Sequence, residues 1–404
     1  MSSLPDDNSE EQLKPFDGIR VVDFTHVLAG PSATYQLAVM GADVIKIDMP
    51  IDTKDEGLGG VRDGPDFLNL HRNKRSMTLN LKKEKGRQIF LDLARDADVI
   101  VENYRPDVKH RLGIDYETIR KINSRIVYGS ISGFGQDGPL RNRPGLDQIA
   151  QGMGGLMSIT GLPGQGPVRV GVPIADLSAG NYLAMGILMA LIDRDRSGEG
   201  QWVHTSLLEA QIAMLDFQAA RWLIDGEVAP QAGNNHPTGI PMGVYPTSDG
   251  AINIAAAGET LWQRFLDVIN APELAEDPRF ADGQGRSTNR DQLNAILGKI
   301  IAQKTSAEWI KTLNEAGVPC GPIYQIDETF DDPQVRHLRI ARDMEHERLG
   351  QVRVVGQAVN LSRQPQPDQV RRATPEKGSD TEDVLLQLGL DAETITQLHD
   401  DGVI

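Results

Sequence analysis

Cysteine is almost missing: Cys320 is the only one in 404 residues. No internal disulfide can form, so the chain reads as built for a reducing compartment, the cytoplasm. Cys320 follows Pro319 and reads as a packed small residue in preference to a nucleophile. The eight histidines and one cysteine show no HExxH or CxxC spacing, so no catalytic metal is expected. The longest apolar run, Tyr182 to Ile192, falls short of the roughly 18 residues that span a bilayer. Residues 1–14, MSSLPDDNSEEQLK, lack the apolar core of a signal peptide and read as a loose acidic tail, so a soluble protein is expected. Basic charge is in deficit: 41 Lys and Arg against 57 Asp and Glu give a net charge of −16. That excludes a general nucleic-acid binder, and an anionic ligand must find a local basic patch. Two clusters offer one, Arg72, Lys74, Arg75, Lys82 and Lys83, and then Arg105, Lys109 and Arg111; each could equally be a solvated face.

The chain is longer than one typical core requires, so two lobes are expected. In its first third, apolar β-branched runs alternate with amphipathic stretches. Ile19–Phe24, Ala42–Ile47, Met77–Leu81, Asp98–Glu102 and Ile126–Ile131 read as strands; a helix opening at Pro31, then Lys85–Arg95 and Tyr116–Ile122, read as helices. This βαβα order predicts an α/β, doubly wound, Rossmann-like sheet with ligands at the carboxyl ends of its strands. A long apolar helix, Asn181–Leu191, a strand, Gln201–Thr205, and one helix, Ser206–Ile224, follow. Beyond them come a hairpin over Gly243–Ala256 and helices at Glu259–Ile269, Arg290–Ala302 and Ala307–Glu315. The tail reads as a hairpin, Ala341–Val354, and helices Thr381–Leu388 and Ala392–His399. A smaller α+β domain is placed at residues 226–325. No internal repeat is visible.

Asp176 ends the run VRVGVPIAD and opens the long apolar helix. Its side chain reads either as a helix cap, accepting a free backbone N–H, or as an ordinary ionised carboxylate that attacks an activated acyl group. The two roles are compatible. GFGQDG at 133–138 matches GxGxxG after a strand, but Pro139 and Arg141-Asn142-Arg143 follow where a helix should begin, which weakens a nicotinamide-binding reading. The first turn after a strand, DFTHVLAGP at 23–31, lacks the glycine fingerprint but presents a helix N-terminus suited to an anion. His26 within it reads as a loop histidine or an acid–base group. GLPGQG at 161–166 reads as a turn or a close backbone approach.

Together these residues resemble the family III CoA-transferases, a group that includes formyl-CoA and carnitine CoA-transferases. The resemblance rests on DFTHVLAGP (23–31), GADVIKID (41–48), NKRSMTLNLK (73–82), ADVIVENYRP (97–106), GSISGFGQDGP (129–139), GVPIADLSAG (171–180), SGEGQWVHTSLLEA (197–210) and AGVPCGPI (316–323). It implies that Asp176 is the nucleophile, forming an acyl-aspartyl anhydride and then an aspartyl-CoA thioester as CoA passes from an acyl-CoA donor, succinyl-CoA by family habit, to a carboxylic acid. It implies CoA contacts at Leu28 and Ala29, at Leu79, Asn80, Leu81 and Lys82 read as a strand beside the adenine, at Asn103, Tyr104 and Arg105, at Arg111, and at the turn Pro144, Gly145, Leu146 and Asp147. No tightly bound cofactor is implied, CoA thioesters being substrates. It also implies an interlocked, ring-like homodimer, in which residues 1–225 and 326–404 make one large domain.

Departures bear on the substrate. Formyl-CoA transferases place Gln at Leu28, a basic residue at Met49, Lys at Pro144 and a glycine-rich loop at Pro241–Val244, so this chain should disfavour formate and oxalate and admit a larger or more apolar acid. GEHTDEVL becomes GSDTEDVL at 378–385. An α-methylacyl-CoA racemase shares the fold but needs a histidine where this chain has Leu146, leaving one proton-transfer group missing. A non-catalytic subunit of a hetero-oligomeric transferase is the other alternative.

Overall fold

β-branched runs that are apolar on both faces can only be buried from both sides, and the sheet they form is parallel throughout. The computed structural model describes residues 14–50 and 60–404; the acidic tail lies outside them, Lys14 apart. The strands are β1 (Arg20–Asp23), β2 (Asp43–Asp48), β3 (Lys74–Thr78), β4 (Val99–Glu102), β5 (Val127–Ser132) and β6 (Trp202–Ser206), in the order β3-β2-β1-β4-β5-β6. Alternation divides each strand between two cores. Val22, Ile45, Ile100 and Tyr128 pack on one face with Phe24 and Phe90, while Val21, Val44, Val101 and Val127 pack on the other with Leu37, Leu183 and Ile187.

The helices of this region are α1 (Ala29–Val39), α2 (Pro65–His71), α3 (Glu84–Asp96), α4 (Pro106–Leu112), α5 (Tyr116–Ile119), α6 (Asp147–Met153), α7 (Leu156–Ile159), α8 (Ile174–Ser197), α9 (Leu207–Ala213) and α10 (Phe217–Asp225). α8 is long and apolar enough by composition to cross a membrane, longer than the apolar run alone indicated. Its inner face is spent on the sheet, with Ala179, Leu183, Ile187 and Ala190 buried. Gly180 lets it pass close to α1: a Cβ there would lie 2.6 Å from the Ala29 carbonyl oxygen.

Several sequence expectations shift. β3 begins at Lys74, not Met77, because a buried partner, Asp23, lets a lysine enter the sheet. Leu79–Lys82 is therefore not a strand but the extended exit and turn beyond β3. The single helix read over Ser206–Ile224 breaks into α9 and α10 at Asp216, whose φ is +47°.

Among the described residues, those up to 156, with 170–223 and 336–404, cluster as one compact unit, and 157–169 with 224–335 as a second. In the first, the C-terminal segment adds an antiparallel hairpin, β10 (Ala341–His346) and β11 (Gly350–Val355), and helices Thr381–Gln387 and Ala392–Asp400. Asp380 accepts the Ser76 N–H at 2.9 Å and Val403 O accepts the Asn80 N–H at 2.7 Å. The second unit is α+β: β7 (Met242–Pro246), β8 (Ala251–Ala255) and β9 (Cys320–Pro322) form an antiparallel sheet over helices that bury Trp262, Phe265, Phe280 and Trp309. β9 has three residues, too few to carry a sequence pattern.

Candidate active site

The strand order reverses between β1 and β4, and the loops that leave their carboxyl ends form the crevice where open α/β sheets bind ligands. Asn103 ties these loops together. Its Oδ1 accepts the His26 N–H at 2.9 Å and its Nδ2 donates to the His26 carbonyl at 2.7 Å. The His26 ring lies 5.8 Å from that of Tyr104. Val27 is held at φ +66°, a conformation that costs a β-branched residue energy and is kept only where the surroundings enforce it. Below, Glu102 accepts the Tyr104 N–H at 2.8 Å and pairs at 2.9 Å with Lys109, which also reaches Ser130 and Gln136.

A cavity of about 1200 Å³ opens beside these loops. Of the residues expected to touch CoA, Leu79, Leu81, Lys82, Tyr104 and Arg111 line it. Asn80 lies buried behind them, its Oδ1 accepting the Lys82 N–H at 3.1 Å and so fixing the turn. Leu28 and Ala29 begin α1 directly after Val27, a wall residue, and Arg105 precedes α4 at the surface. Lys83 and Arg87 join Lys82 and Arg111 on the wall; Arg87 lies against Gly113, two residues past Arg111. Sequence reading missed a second group. Lys46, Asp48, Arg62, His71 and Lys377 also line the cavity, with Asp48 2.9 Å from both Lys46 and Arg62.

The two basic clusters therefore split. Lys74 is fully buried, 3.0 Å from Asp23 and 2.8 Å from Thr34. Arg72 is buried against Tyr35, Asn69 and the Val355 carbonyl; Arg75 faces Asp43 and Asp380; Lys109 is consumed by Glu102. Only Lys82, Lys83 and Arg111 of those eight cations reach the cavity. Burial pushes Lys74 down to about 8 against the pull of Asp23. Burial would raise Asp23, but Lys74 and Lys46 outweigh it and hold the carboxyl below its usual value. His26 is pushed down to about 4 by desolvation and then by Lys46, and His71 is depressed by burial and Lys74, so both rings are neutral at pH 7.

The turn Pro144–Asp147 sits elsewhere, at the start of α8. Gly133 and Gly145 approach so closely that a Cβ on either would lie 2.7 Å from the other's Cα, which gives the first glycine of GFGQDG a packing role. Asp147 opens α6 and reaches across to α8, its Oδ1 accepting the Ala175 N–H at 2.9 Å. Asp176 is thus not the cap of its helix. It lies inside the first turn with no capping bond of its own, because Asp147 supplies the acceptor. Nor is its carboxyl ordinary: desolvation, and then the charge of Asp147, raise it to about 7. Four residues before Gly180, Asp176 shares the helix face that meets the start of α1.

A parallel sheet in this order, a cation-walled cavity at its switch point and a buried carboxyl at a helix start define an α/β enzyme handling an anionic substrate. Residues 16–381 match the model of CoA-transferase family III. The chain belongs to that family and is an enzyme of the transferase class. The mouse (Mus musculus) succinyl-CoA:glutarate CoA-transferase is 36% identical over 399 residues, covering 98% of this chain and 91% of that protein. An acetyl-CoA:oxalate CoA-transferase of Acetobacter aceti is 41% identical over 324 residues, 79% of this chain and 83% of its own. The crystal structure of a CAIB/BAIF family protein from Brucella suis superposes with a TM-score of 0.80 at 32% identity, over 93% of this chain and 100% of that one.

Proposed function

We propose that the protein moves CoA from succinyl-CoA to a carboxylic acid through covalent intermediates on Asp176. The ionised carboxylate attacks the thioester carbonyl and expels CoA thiolate, leaving an acyl-aspartyl anhydride. The thiolate attacks the aspartyl carbonyl, releases succinate and leaves an aspartyl-CoA thioester. The acceptor carboxylate then displaces the thiolate to form a second anhydride, and thiolate attack on the acceptor acyl group yields the new CoA ester and restores Asp176. The observation that carries this reading is the Asp176 carboxyl buried in the first turn of α8, where desolvation and the Asp147 charge raise it to about 7. Desolvation makes its anion a stronger nucleophile than a surface aspartate while leaving a large ionised fraction at neutral pH.

The cavity's cations suit the phosphates of CoA, and the exchange of thiolate and carboxylate needs no tightly bound cofactor. For the acceptor we favour an acid larger than formate or oxalate. Met49 lines the cavity wall and Leu28 precedes α1, where polar groups would suit a smaller acid. Relatives named for succinyl-CoA and glutarate cover nearly the whole chain. We further assign an interlocked homodimer. Met185, Met189 and Ile192 on α8 and Ile212 on α9 leave an apolar strip exposed, with Met189 and Ile192 each 60% accessible.

The test is to incubate the protein with succinyl-CoA and a panel of mono- and dicarboxylates, weigh the CoA esters formed, and quench with hydroxylamine or borohydride during turnover. A trapped modification on Asp176, absent from Asp176→Ala together with CoA exchange, is expected. Wild-type rates in Asp176→Ala would end the proposal. Light scattering of the purified chain checks the dimer, and activity gained only with a related subunit would point to the hetero-oligomer.

A further inference from the structure

Gln151 is fully buried and uses both ends of its amide. Its Nε2 donates to Asp147 Oδ2 at 2.7 Å and to the Val172 carbonyl at 3.2 Å, while its Oε1 accepts the Val170 N–H at 3.0 Å. Asp147 lies one helical turn earlier on α6, so the two side chains share a face. With Oδ1 on Ala175 N and Oδ2 on Gln151 Nε2, both oxygens of Asp147 accept hydrogen bonds.

We infer that Gln151 is a positioning residue for the nucleophile: by donating to Asp147 Oδ2 it fixes that carboxylate under the Ala175 N–H and so sets where its charge stands relative to Asp176. It also clamps residues 170–172, the segment that delivers Asp176 to the start of α8. Gln151 touches neither the thioester nor the acceptor in this scheme; it acts through Asp147.

The ionisable groups on the elements packed closely against α8 are few. They are Tyr35 on α1, Asp147 on α6, Glu209 on α9, Tyr128 on β5 and His204 on β6. Glu209 is engaged with Ser206 at 2.7 Å, and the Tyr128 hydroxyl donates to the Ile114 carbonyl. Asp147 is the one whose charge acts on Asp176, so whatever holds the Asp147 carboxylate in place holds that charge beside the nucleophile.

This inference rests on Asp176 being the nucleophile, and the experiment separates the two. The pH profile of kcat/KM is measured with succinyl-CoA and glutarate for the wild type, Gln151→Met, Gln151→Glu and Asp176→Ala. Gln151→Met removes the donor at nearly constant volume and frees the Asp147 carboxylate to turn away from Asp176. The acid limb then moves to lower pH while the plateau of kcat falls and KM for succinyl-CoA stays within about twofold. Gln151→Glu adds a negative charge beside Asp147, and its limb moves to higher pH. Displacements in opposite directions from one position are the signature; a merely structural glutamine would lower the plateau and leave both limbs in place, which overturns the inference. Should Gln151→Met fail to fold by circular dichroism, the direction of the Gln151→Glu limb decides alone. An active Asp176→Ala would instead overturn the reading of the nucleophile.

Discussion

Asp147 caps the helix that carries Asp176 and at the same time opposes its ionisation: its Oδ1 takes the Ala175 N–H, and its charge adds to desolvation in raising the neighbouring carboxyl to about 7. Activity that needs the Asp176 anion therefore rises with pH. We expect kcat/KM to climb about tenfold per pH unit below pH 7 and to level off above it, as an initial-rate series at constant ionic strength will show.

Removing the repelling charge moves that limb. Asp147→Asn keeps an oxygen for Ala175 but carries no charge, so the limb should fall by about one pH unit. The plateau falls as well, because an amide NH₂ then confronts the Gln151 Nε2 donor. The same pH–rate series checks both.

Asp176 also links pH to stability. A carboxyl whose folded value lies above its unfolded 3.8 contributes stability that is complete below 3.8 and lost as pH rises through about 7. Asp176→Asn removes the burial of an anion. It should raise the unfolding free energy at pH 8 by ~1–3 kcal/mol, with little change at pH 4. Urea denaturation at the two pH values measures it.

The Lys74–Asp23 pair holds β3 to β1 from within. Lys74→Met strands Asp23 in the core and should cost about 3–5 kcal/mol, with much of the loss recovered in a Lys74→Met, Asp23→Asn double variant. Urea midpoints for the wild type, Lys74→Met, Asp23→Asn and the double variant complete the cycle.

Lys82 and Arg111 should act on binding alone. Each changed to Ala is expected to raise KM for succinyl-CoA about tenfold with kcat little changed, and more steeply at low salt. Steady-state kinetics at two ionic strengths test this.

Most of the strands and the parallel sheet were legible in the sequence because apolar β-branched runs have few other readings. What the sequence hid follows from partners far away along the chain. Lys74 looked like a surface cation and is buried, because Asp23 lies on the neighbouring-but-one strand. Asp176 looked like a cap with an ordinary carboxyl, since nothing in its own segment reveals that Asp147 occupies the capping position. Lys46 and Asp48 stand in GADVIKID with no sign of a site and Arg62 stands in no motif; only the fold gathers them at the cavity. Leu79–Lys82 has strand composition, yet its pairing ends at Thr78 with the end of β2.

Ser76 waits for Asp380, 304 residues further on, before its amide hydrogen is met, and the Asn80 amide waits for Val403. During synthesis the early strands emerge long before these partners exist. The edge of the sheet beside the cavity is thus among the last parts of the molecule to be completed, and a nascent chain halted at any point before residue 380 leaves that edge open to water.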